Sequence, residues 1–246
     1  MQLIRSLLFS IAMIISTVMI ALMLVIFSPA PFFVRSRLAR GYACFIISSL
    51  KLLCGVNYRV SGHENIPEGA AIILSKHQST WETYALQLIF PAQVWVLKRE
   101  LMWVPFFGWG IAVLKPIFID RSSGRKAINQ IIEKGKQRLD AGIWVTIFPE
   151  GTRIAPGQKK RWGAGGAILA ESSGYPVVPV AHNAGEFWGR RSFLKKPGTI
   201  QVVIGPPIEP KGLKAAEINQ KAEEWVASTM SKICSVEADI VENQSS

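Results

Sequence analysis

The sequence predicts an α/β fold, a central sheet flanked by helices, preceded by an N-terminal membrane-anchoring helical segment. From residue 57 onward, short apolar runs alternate with stretches of helical periodicity, which is the pattern of an α/β domain. Before that point, the chain between Arg5 and Arg35 contains no charged side chain. We therefore divide the chain into residues 1–56, anchoring and interfacial helices; residues 57–235, the α/β domain; and residues 236–246, a polar tail.

The N-terminal apolar stretch is long enough to cross a bilayer, because residues 7–27 alone supply the roughly 20 apolar residues that a transmembrane helix needs. A cleavable signal peptide is the alternative. The apolar run exceeds the usual length of a signal core, and Pro31 directly follows a weak cleavage-like site, so we predict an uncleaved anchor. Residues 41–56 are too short and too polar for a second span and are predicted as an interfacial amphipathic helix.

Composition also indicates a protein of the membrane surface. A hydrophobic content of 49% stands beside a net charge of +11 over 246 residues, whereas strongly charged soluble proteins are usually less apolar. Arg35, Arg37 and Arg40 outnumber Arg5, so the positive-inside tendency places the α/β domain on the cytoplasmic side of the inner membrane of the cell. Nucleic-acid binding is disfavoured, because an RNA-binding protein would pair its basic face with stacking motifs and would lack an anchor.

Seven short apolar runs in the α/β domain are candidate strands: residues 58–60, 70–74, 94–97, 116–119, 144–148, 177–181 and 199–204. The stretches between them show helical spacing. In residues 125–139 the apolar side chains Ile128, Ile131, Ile132 and Leu139 share one face, with lysine and arginine opposite. The other candidate helices are residues 81–90, 163–171 and 215–233. The three cysteines have no metal-like spacing and suit a reducing cytosol.

A histidine followed five residues later by a carboxylate stands directly after the strand predicted at residues 70–74. Five residues rotate two helical side chains by roughly 140°, so His77 and Glu82 meet only if His77 precedes the helix that begins near Trp81. In that geometry Glu82 accepts the proton of one ring nitrogen and leaves the other basic. The alternative is a capping box, in which Glu82 accepts from the Ser79 backbone amide without taking part in chemistry; the two roles are compatible.

A second motif, FPEGTR at residues 148–153, follows another buried strand. Its proline disfavours helix and Gly151 permits a tight turn, so the strand ends in a loop. If the two strands are parallel, Arg153 is presented at the same edge of the sheet as His77, and its planar guanidinium suits a phosphate. The alternative is a structural ion pair between Arg153 and Glu150.

Basic side chains follow three of the predicted strands. Lys98, Arg121 and Arg153 each stand at or just beyond a strand end. Cations that converge at one edge of a sheet indicate an anionic ligand. Two further basic clusters, at residues 159–161 and 190–196, are either solubilising charge or contacts to anionic lipid head groups, worth roughly 1 kcal/mol per cation near a membrane surface.

These motifs, together with FIDR at residues 118–121 and VVPVAHNAG at residues 177–185, resemble the glycerolipid acyltransferase family, and within it the 1-acylglycerol-3-phosphate O-acyltransferases. The resemblance covers residues 60–207 and implies a central mixed sheet of the glycerol-3-phosphate acyltransferase type. The first motif of the family is HxxxxD, so Glu82 departs from it by one methylene group. The resemblance also implies that His77 and Glu82 are catalytic. The substrate-binding set that it implies is Lys98, Arg121, Glu150, Gly151, Thr152 and Arg153.

The activity implied by the resemblance is transfer of a fatty acyl group to the 2-hydroxyl of 1-acylglycerol 3-phosphate, giving phosphatidic acid. His77 would remove the hydroxyl proton, the oxygen would attack a thioester carbonyl, and Glu82 would stabilise the imidazolium. Backbone amides near the start of the Trp81 helix or at the Gly151 turn are candidates for binding the oxyanion. The expected co-substrate is an acyl-ACP or acyl-CoA thioester, and no further cofactor or metal is required.

The partners expected on this basis are lysophosphatidic acid, the thioester donor and anionic membrane lipids. Two aromatic segments, residues 106–109 and 187–188, either belong to the core or line the path of an acyl chain. Two other functions are considered: an acyltransferase for another lysolipid acceptor, and a non-catalytic membrane protein that binds lipid. The second would have no need of His77 beside Glu82.

Overall fold

The computed structural model describes residues 1–234, and residues 235–246, which contain the predicted polar tail, lie outside the described residues. The helices are α1 Gln2–Ile26, α2 Phe32–Cys54, α3 Trp81–Ile89, α4 Phe107–Val113, α5 Arg125–Asp140, α6 Gly165–Ser173, α7 Ala184–Phe187 and α8 Ala215–Ile233. The strands are β1 Val56–Ser61, β2 Ile72–Ser75, β3 Gln93–Lys98, β4 Ile117–Ile119, β5 Trp144–Ile147, β6 Val177–His182 and β7 Gly198–Ile204. Short 3-10 turns occur at His63–Asn65, Arg99–Trp103 and Arg121–Ser123.

The strands form one mixed sheet, in the order β1-β7-β6-β2-β5-β3-β4. All neighbours are parallel except β6 and β7, which are antiparallel. This confirms the α/β class and the central mixed sheet. Strand β2 lies in the middle, with Leu74 opposite Ile147 of β5 and Ser75 opposite Val180 of β6. The loops that follow β2, β5 and β6 therefore leave the sheet at one edge, which is where ligands bind in open α/β sheets.

Each predicted strand is present, with its ends within about three residues of those expected. The helices differ more. Helix α2 begins at Phe32 and not at residue 41, because Pro31 supplies the fixed backbone that suits a helix start, and it ends where Gly55 adopts a φ of 71°. Helices α4 and α7 were not predicted, because both are short and one of them contains two glycines.

Helices cover both faces of the sheet. Helices α5, α6 and α8 pack on one face, and α2 and α3 pack on the other. The hydrophobic core on the face covered by α2 and α3 also contains Phe9 of α1. There Phe9, Ile46 and Leu50 pack together with Trp81 and Trp144. The N-terminal helices thus share a hydrophobic core with the α/β domain, so the segment predicted as an anchor is also part of the folded body.

Helix α1 has the length and composition of a membrane span, with a mean hydropathy of 2.7. Its inner side contacts the rest of the protein along most of its length. Phe9 meets Trp188 edge-on at 5.4 Å, and the Thr17 hydroxyl lies 2.6 Å from that of Tyr42. The outer side exposes a row of large apolar side chains: Leu3, Ile4, Leu7, Leu8, Ile11, Ile14, Ile15, Met19, Leu22, Met23, Val25 and Ile26. One face of α1 is therefore part of the fold, and the other is available to lipid.

The contact between α1 and α4 depends on a glycine, which gives a testable pair of substitutions. A Cβ atom added at Gly110 would lie 2.8 Å from the Cα atom of Ala21, whereas one added at Gly41 of α2 would have no atom within 4 Å. We expect Gly110→Ala to lower stability by about 1–3 kcal/mol through overpacking. Gly41→Ala should be neutral or stabilising, because alanine is the better helix former. Thermal unfolding in detergent measures both, and equal effects would mean that α1 and α4 are not in close contact.

Candidate active site

The loop after β2 brings His77 and Glu82 together. The Nδ1 atom of His77 lies 2.8 Å from Oε1 of Glu82. Helix α3 begins at Trp81, so His77 precedes the first turn, as a separation of five residues requires. Nδ1 is engaged by the carboxylate, and the ring lines a cavity, which leaves Nε2 as the nitrogen available to a ligand.

The same carboxylate also accepts hydrogen bonds from the backbone just before helix α3. Glu82 is 0% exposed, and its Oε1 atom accepts hydrogen bonds from the backbone amides of Gln78 at 2.9 Å and Ser79 at 2.8 Å. The Ser79 hydroxyl in turn accepts from the Trp81 amide at 3.1 Å. The bond from the Ser79 amide to Glu82 that the capping-box alternative expected is therefore formed together with the bond to His77, although the N-cap of α3 is Thr80 and not Ser79. One buried oxygen orders the loop and holds the His77 ring.

The hydrogen bonds around Glu82 keep it ionised. Burial by itself raises the pKa of the Glu82 carboxyl. The nearby His182, the hydrogen bond from His77 and that from the Ser79 amide outweigh burial, so the pKa of Glu82 lies below its ordinary value. The Glu82 carboxylate is therefore negatively charged at neutral pH and acts only as a hydrogen-bond acceptor.

Aromatic stacking fixes the plane of the His77 ring. Phe148, the first residue of the FPEGTR motif, lies parallel to it, with ring centroids 3.9 Å apart and planes at 11°. Trp95 of β3 stacks on the same phenyl ring at 5.7 Å and 18°. An imidazolium at His77 would face the electron-rich surface of Phe148, and such a contact stabilises a cation.

Glu150 joins the two motif loops from beneath the site. Its carboxylate is 2% exposed, forms an ion pair with Lys76 at 2.6 Å and accepts from the backbone amide of His77 at 2.9 Å. The Ile154 amide donates to the His77 carbonyl at 2.8 Å, which adds a second link. The ion pair between Glu150 and Arg153 that was considered from the sequence is not formed. The Glu150 side chain does not line the cavity and lies behind the residues that do.

A cavity of about 630 Å³ opens beside His77. One part of its wall is polar and strongly basic, formed by His77, Lys98, Arg121, Gly151, Thr152, Arg153, Arg190 and Arg191. The other part is apolar and comes from α1, α2, β3, the 3-10 turn at Arg99–Trp103, and α4 with the residue that follows it: Ile20, Ala21, Leu24, Ala39, Trp95, Val96, Leu97, Leu101, Phe107, Ile111 and Leu114. Every residue of the expected substrate-binding set except Glu150 therefore borders this cavity. The arrangement suits a ligand with an anionic head and a long apolar chain.

The cations of the cavity differ in how far they are already engaged. Lys98 forms an ion pair with Glu100 at 2.9 Å, with both side chains about half exposed, and Arg121 donates to the Gly151 carbonyl. The Nε atom of Arg153 is buried without a hydrogen-bond partner. A buried donor of this kind is costly unless a ligand satisfies it. Arg153 is thus the cation best prepared for an anion.

The site also contains features that sequence reasoning missed. The apolar wall of the cavity depends on how α1 and α4 pack against the rest of the protein. No local sequence pattern predicts that packing. Phe107 lines the cavity, as one alternative for the aromatic segment 106–109 anticipated, whereas Trp188 belongs to the core. The Gly151 amide donates to the Phe148 carbonyl at 2.9 Å, so this candidate for binding an oxyanion is already engaged.

Comparison with known proteins agrees with this architecture. The model of a family described as Acyltransferase matches residues 57–183. A 1-acyl-sn-glycerol-3-phosphate acyltransferase of Pseudomonas aeruginosa is 50% identical over 211 residues, which are 84% of this chain and 82% of that protein. A protein of the same name from Saccharomyces cerevisiae is 32% identical over 194 residues, 75% of this chain and 63% of its own length.

A solved structure is also similar. The crystal structure of the 1-acyl-sn-glycerophosphate (LPA) acyltransferase from Thermotoga maritima matches with a TM-score of 0.77 at 25% identity. The match covers 94% of this chain and 97% of that one. Because it includes nearly the whole chain, the similarity extends beyond the α/β domain to the N-terminal helices.

The charge of Glu82 can be tested separately from its hydrogen bonds. In Glu82→Gln, the amide oxygen can take the place of Oε1, which accepts from His77, Gln78 and Ser79. We expect turnover to fall at least tenfold, a barrier increase of about 1.4 kcal/mol, because the neutral amide cannot stabilise an imidazolium by charge. Steady-state kinetics measures this. Glu64→Gln, the same change at an exposed site, is the control, and equal turnover in the two variants would limit Glu82 to holding the loop.

The same variant has a pH signature in its stability. A carboxylate whose pKa is lowered by folding stabilises the protein above its unfolded-state pKa, and that contribution is lost as the pH falls through the folded-state pKa. We therefore expect the stability difference between wild type and Glu82→Gln to shrink as the pH falls below 4.5, the ordinary glutamate value. Urea unfolding at pH 7 and pH 4 measures the difference. A constant difference would mean that the Glu82 pKa is not lowered.

Proposed function

The chain belongs to the acyltransferase family, and we propose that it transfers a fatty acyl group from a thioester to the 2-hydroxyl of 1-acylglycerol 3-phosphate, giving phosphatidic acid in phospholipid biosynthesis. The observation that carries this proposal is the cavity beside His77. Arginines form one part of its wall, and apolar side chains form the other. The acceptor has the same two-part chemistry. The names of the relatives from Pseudomonas aeruginosa and Saccharomyces cerevisiae specify this acceptor.

The reaction follows from the orientation of His77. Neutral Nε2 accepts the proton of the 2-hydroxyl, while Nδ1–H donates to Glu82, which stabilises the imidazolium that forms. The oxygen attacks the thioester carbonyl, and a new C–O bond gives a tetrahedral oxyanion. The backbone near Thr80 and Thr152, both at the cavity wall, is the proposed source of donors for that oxyanion. Collapse breaks the C–S bond, and His77 returns the proton to the thiolate.

Arg153 is the proposed partner of the acceptor phosphate. Its Nε donor is buried and unpaired in the described residues, and Arg121 lies across the cavity wall at the Gly151 turn. Two guanidinium groups at one end of a partly apolar cavity can hold a phosphate through several charge-assisted hydrogen bonds. The glycerol of the acceptor would then lie between these arginines and His77.

The acyl donor is proposed from the chemistry alone. A thioester carries a good leaving group, so the site needs a base and an oxyanion site but no metal or cofactor. Acyl-ACP and acyl-CoA both present the thioester on the same phosphopantetheine arm. The exposed arginines Arg190 and Arg191 stand at the cavity wall and suit the phosphate of that arm. The donor class is therefore an acyl-phosphopantetheine thioester.

The membrane position follows from the contacts of α1. Gln2 donates to the Lys195 carbonyl, and Ala21 lies against Gly110, so the helix touches the domain across 19 residues. At 1.5 Å per residue this is about 29 Å, close to the full hydrocarbon thickness. A span through the bilayer would draw these domain surfaces into lipid. We therefore propose that α1 lies along one leaflet. We further propose that this is the cytoplasmic leaflet of the inner membrane, with the α/β domain on the cytoplasmic side.

The test of this function compares acceptors that differ only in the phosphate. Purified full-length protein in mixed micelles should acylate 1-acylglycerol 3-phosphate with acyl-CoA or acyl-ACP and should act at least about 100-fold less efficiently on 1-acylglycerol. Comparable rates with both acceptors would point to another lysolipid as substrate. No transfer to either acceptor from either donor would favour a lipid-binding protein without catalysis.

The role of Arg153 gives a second prediction. Arg153→Lys keeps the charge but loses the planar fork, so the KM for the acceptor should rise about tenfold, the value of one hydrogen bond to a charged group. The KM for the donor should change little. Arg59→Lys, at an exposed position of β1, is the matched control. Equal increases in both KM values, or a fall in melting temperature that accounts for the defect, would contradict a phosphate contact at Arg153.

A further inference from the structure

His182 is a second histidine near the site, but it belongs to a different layer of the structure. It is the last residue of β6, it is 0% exposed, and it does not line the cavity. Its Nε2 atom lies 2.9 Å from the Lys76 carbonyl oxygen, and its Nδ1 atom lies 3.3 Å from the Ala184 amide. An amide can only donate, so Nδ1 is the acceptor, and Nε2 carries the proton and donates to Lys76.

The His182 ring acts as a hydrogen-bond donor to the Lys76 carbonyl. Burial lowers the pKa of the His182 imidazole, although the nearby Glu82 opposes this effect. A neutral imidazole carries a single N–H group. Here that group is directed at the Lys76 carbonyl, so His182 has no proton left for a substrate and no access to one.

The Lys76 carbonyl belongs to the peptide group that leads into His77. The backbone ladder between β2 and β6 ends at the bond from the Lys76 amide to the Val180 carbonyl, 3.0 Å long. Beyond that bond, the backbone groups are hydrogen-bonded by side chains. The Lys76 carbonyl accepts from His182 and from the Ser75 hydroxyl at 3.0 Å. On the other side of the same peptide group, the His77 amide donates to Glu150 at 2.9 Å.

This peptide group is therefore held from both sides by buried side chains, one at the end of β6 and one in the loop after β5. His182 at the end of β6 holds its oxygen, and Glu150 after β5 holds its N–H. A displacement of this peptide group would move the Cα atom of His77, and with it the ring. Misplacement of a catalytic group by 1 Å can cost on the order of 100-fold in rate. Glu82 holds the far end of the side chain and the Gln78 amide. The Ile154 amide holds the His77 carbonyl, so these bonds fix the peptide group after His77. The peptide group before His77 is held by His182 and Glu150.

We propose that His182 is a positioning residue for acyl transfer: by donating to the Lys76 carbonyl, it holds the peptide group that sets the position of His77. This inference rests on the function proposed above. Without the donor, the buried carbonyl keeps one hydrogen bond, from Ser75, and loses the other. The peptide group then gains freedom to move, and the fraction of molecules with His77 in the productive position falls.

Two amide substitutions of His182 test the bond directly. Glutamine places its amide nitrogen the same number of bonds from Cβ as Nε2 of histidine, so His182→Gln can restore the bond to Lys76. Asparagine carries the same group one bond shorter and cannot reach. We expect kcat to fall about tenfold or more in His182→Asn and to stay within about threefold of wild type in His182→Gln. The acceptor KM should change in neither, because the cavity wall is intact.

The controls separate positioning from folding and from the function itself. Melting temperature and the folded fraction are measured for both variants, and His63→Gln, an exposed site, reports the background of the substitution. Equal kcat in folded His182→Asn and His182→Gln would overturn the proposal. If His182→Asn does not fold, His182→Gln decides alone: retained kcat supports the bond, and a tenfold loss in folded protein overturns it. Wild type without activity would refute the proposed function instead.

Discussion

The buried carboxylate of Glu82 is the constraint on which the site depends. A charge removed from water must be satisfied by hydrogen bonds, and here the donors are the Gln78 and Ser79 amides and the His77 ring. Meeting that requirement fixes the loop conformation, the start of α3 and the plane of the imidazole together. The geometry of His77, the proposed base, is therefore set by folding before any substrate arrives, which is the condition for efficient proton transfer.

Helix α1 links the active site to the membrane. Helix α1 exposes apolar side chains on one face and contributes Ile20, Ala21 and Leu24 to the cavity wall on the other. A lipid acceptor can therefore move from the leaflet into the cavity beside α1 without exposing its acyl chain to water. The phosphate would meet Arg153 at the sheet edge, where the chemistry takes place. On this account the N-terminal helices are part of the active site as well as the anchor.

Sequence predicted the sheet and the two motif loops well, because short apolar runs and the residues that follow them encode strand ends locally. It predicted the meeting of His77 and Glu82 from spacing alone. It could not predict that Glu150 would pair with Lys76, since that ion pair joins residues 74 positions apart and depends on the packing of β2 against β5. The apolar wall of the cavity and the position of His182 could not be predicted from the sequence for the same reason: each arises only when separate elements pack together.

The proposed base is His77, and its side chain can be removed while the buried carboxylates keep the hydrogen bonds from the Gln78 and Ser79 amides and from Lys76. The most direct measurement is single-turnover transfer from acyl-CoA or acyl-ACP to 1-acylglycerol 3-phosphate by purified His77→Ala, with melting temperature and vesicle binding measured in parallel. We expect the rate of acyl transfer to fall at least about 100-fold, with melting temperature and vesicle binding near those of wild type. Transfer near the wild-type rate by the folded variant would contradict it.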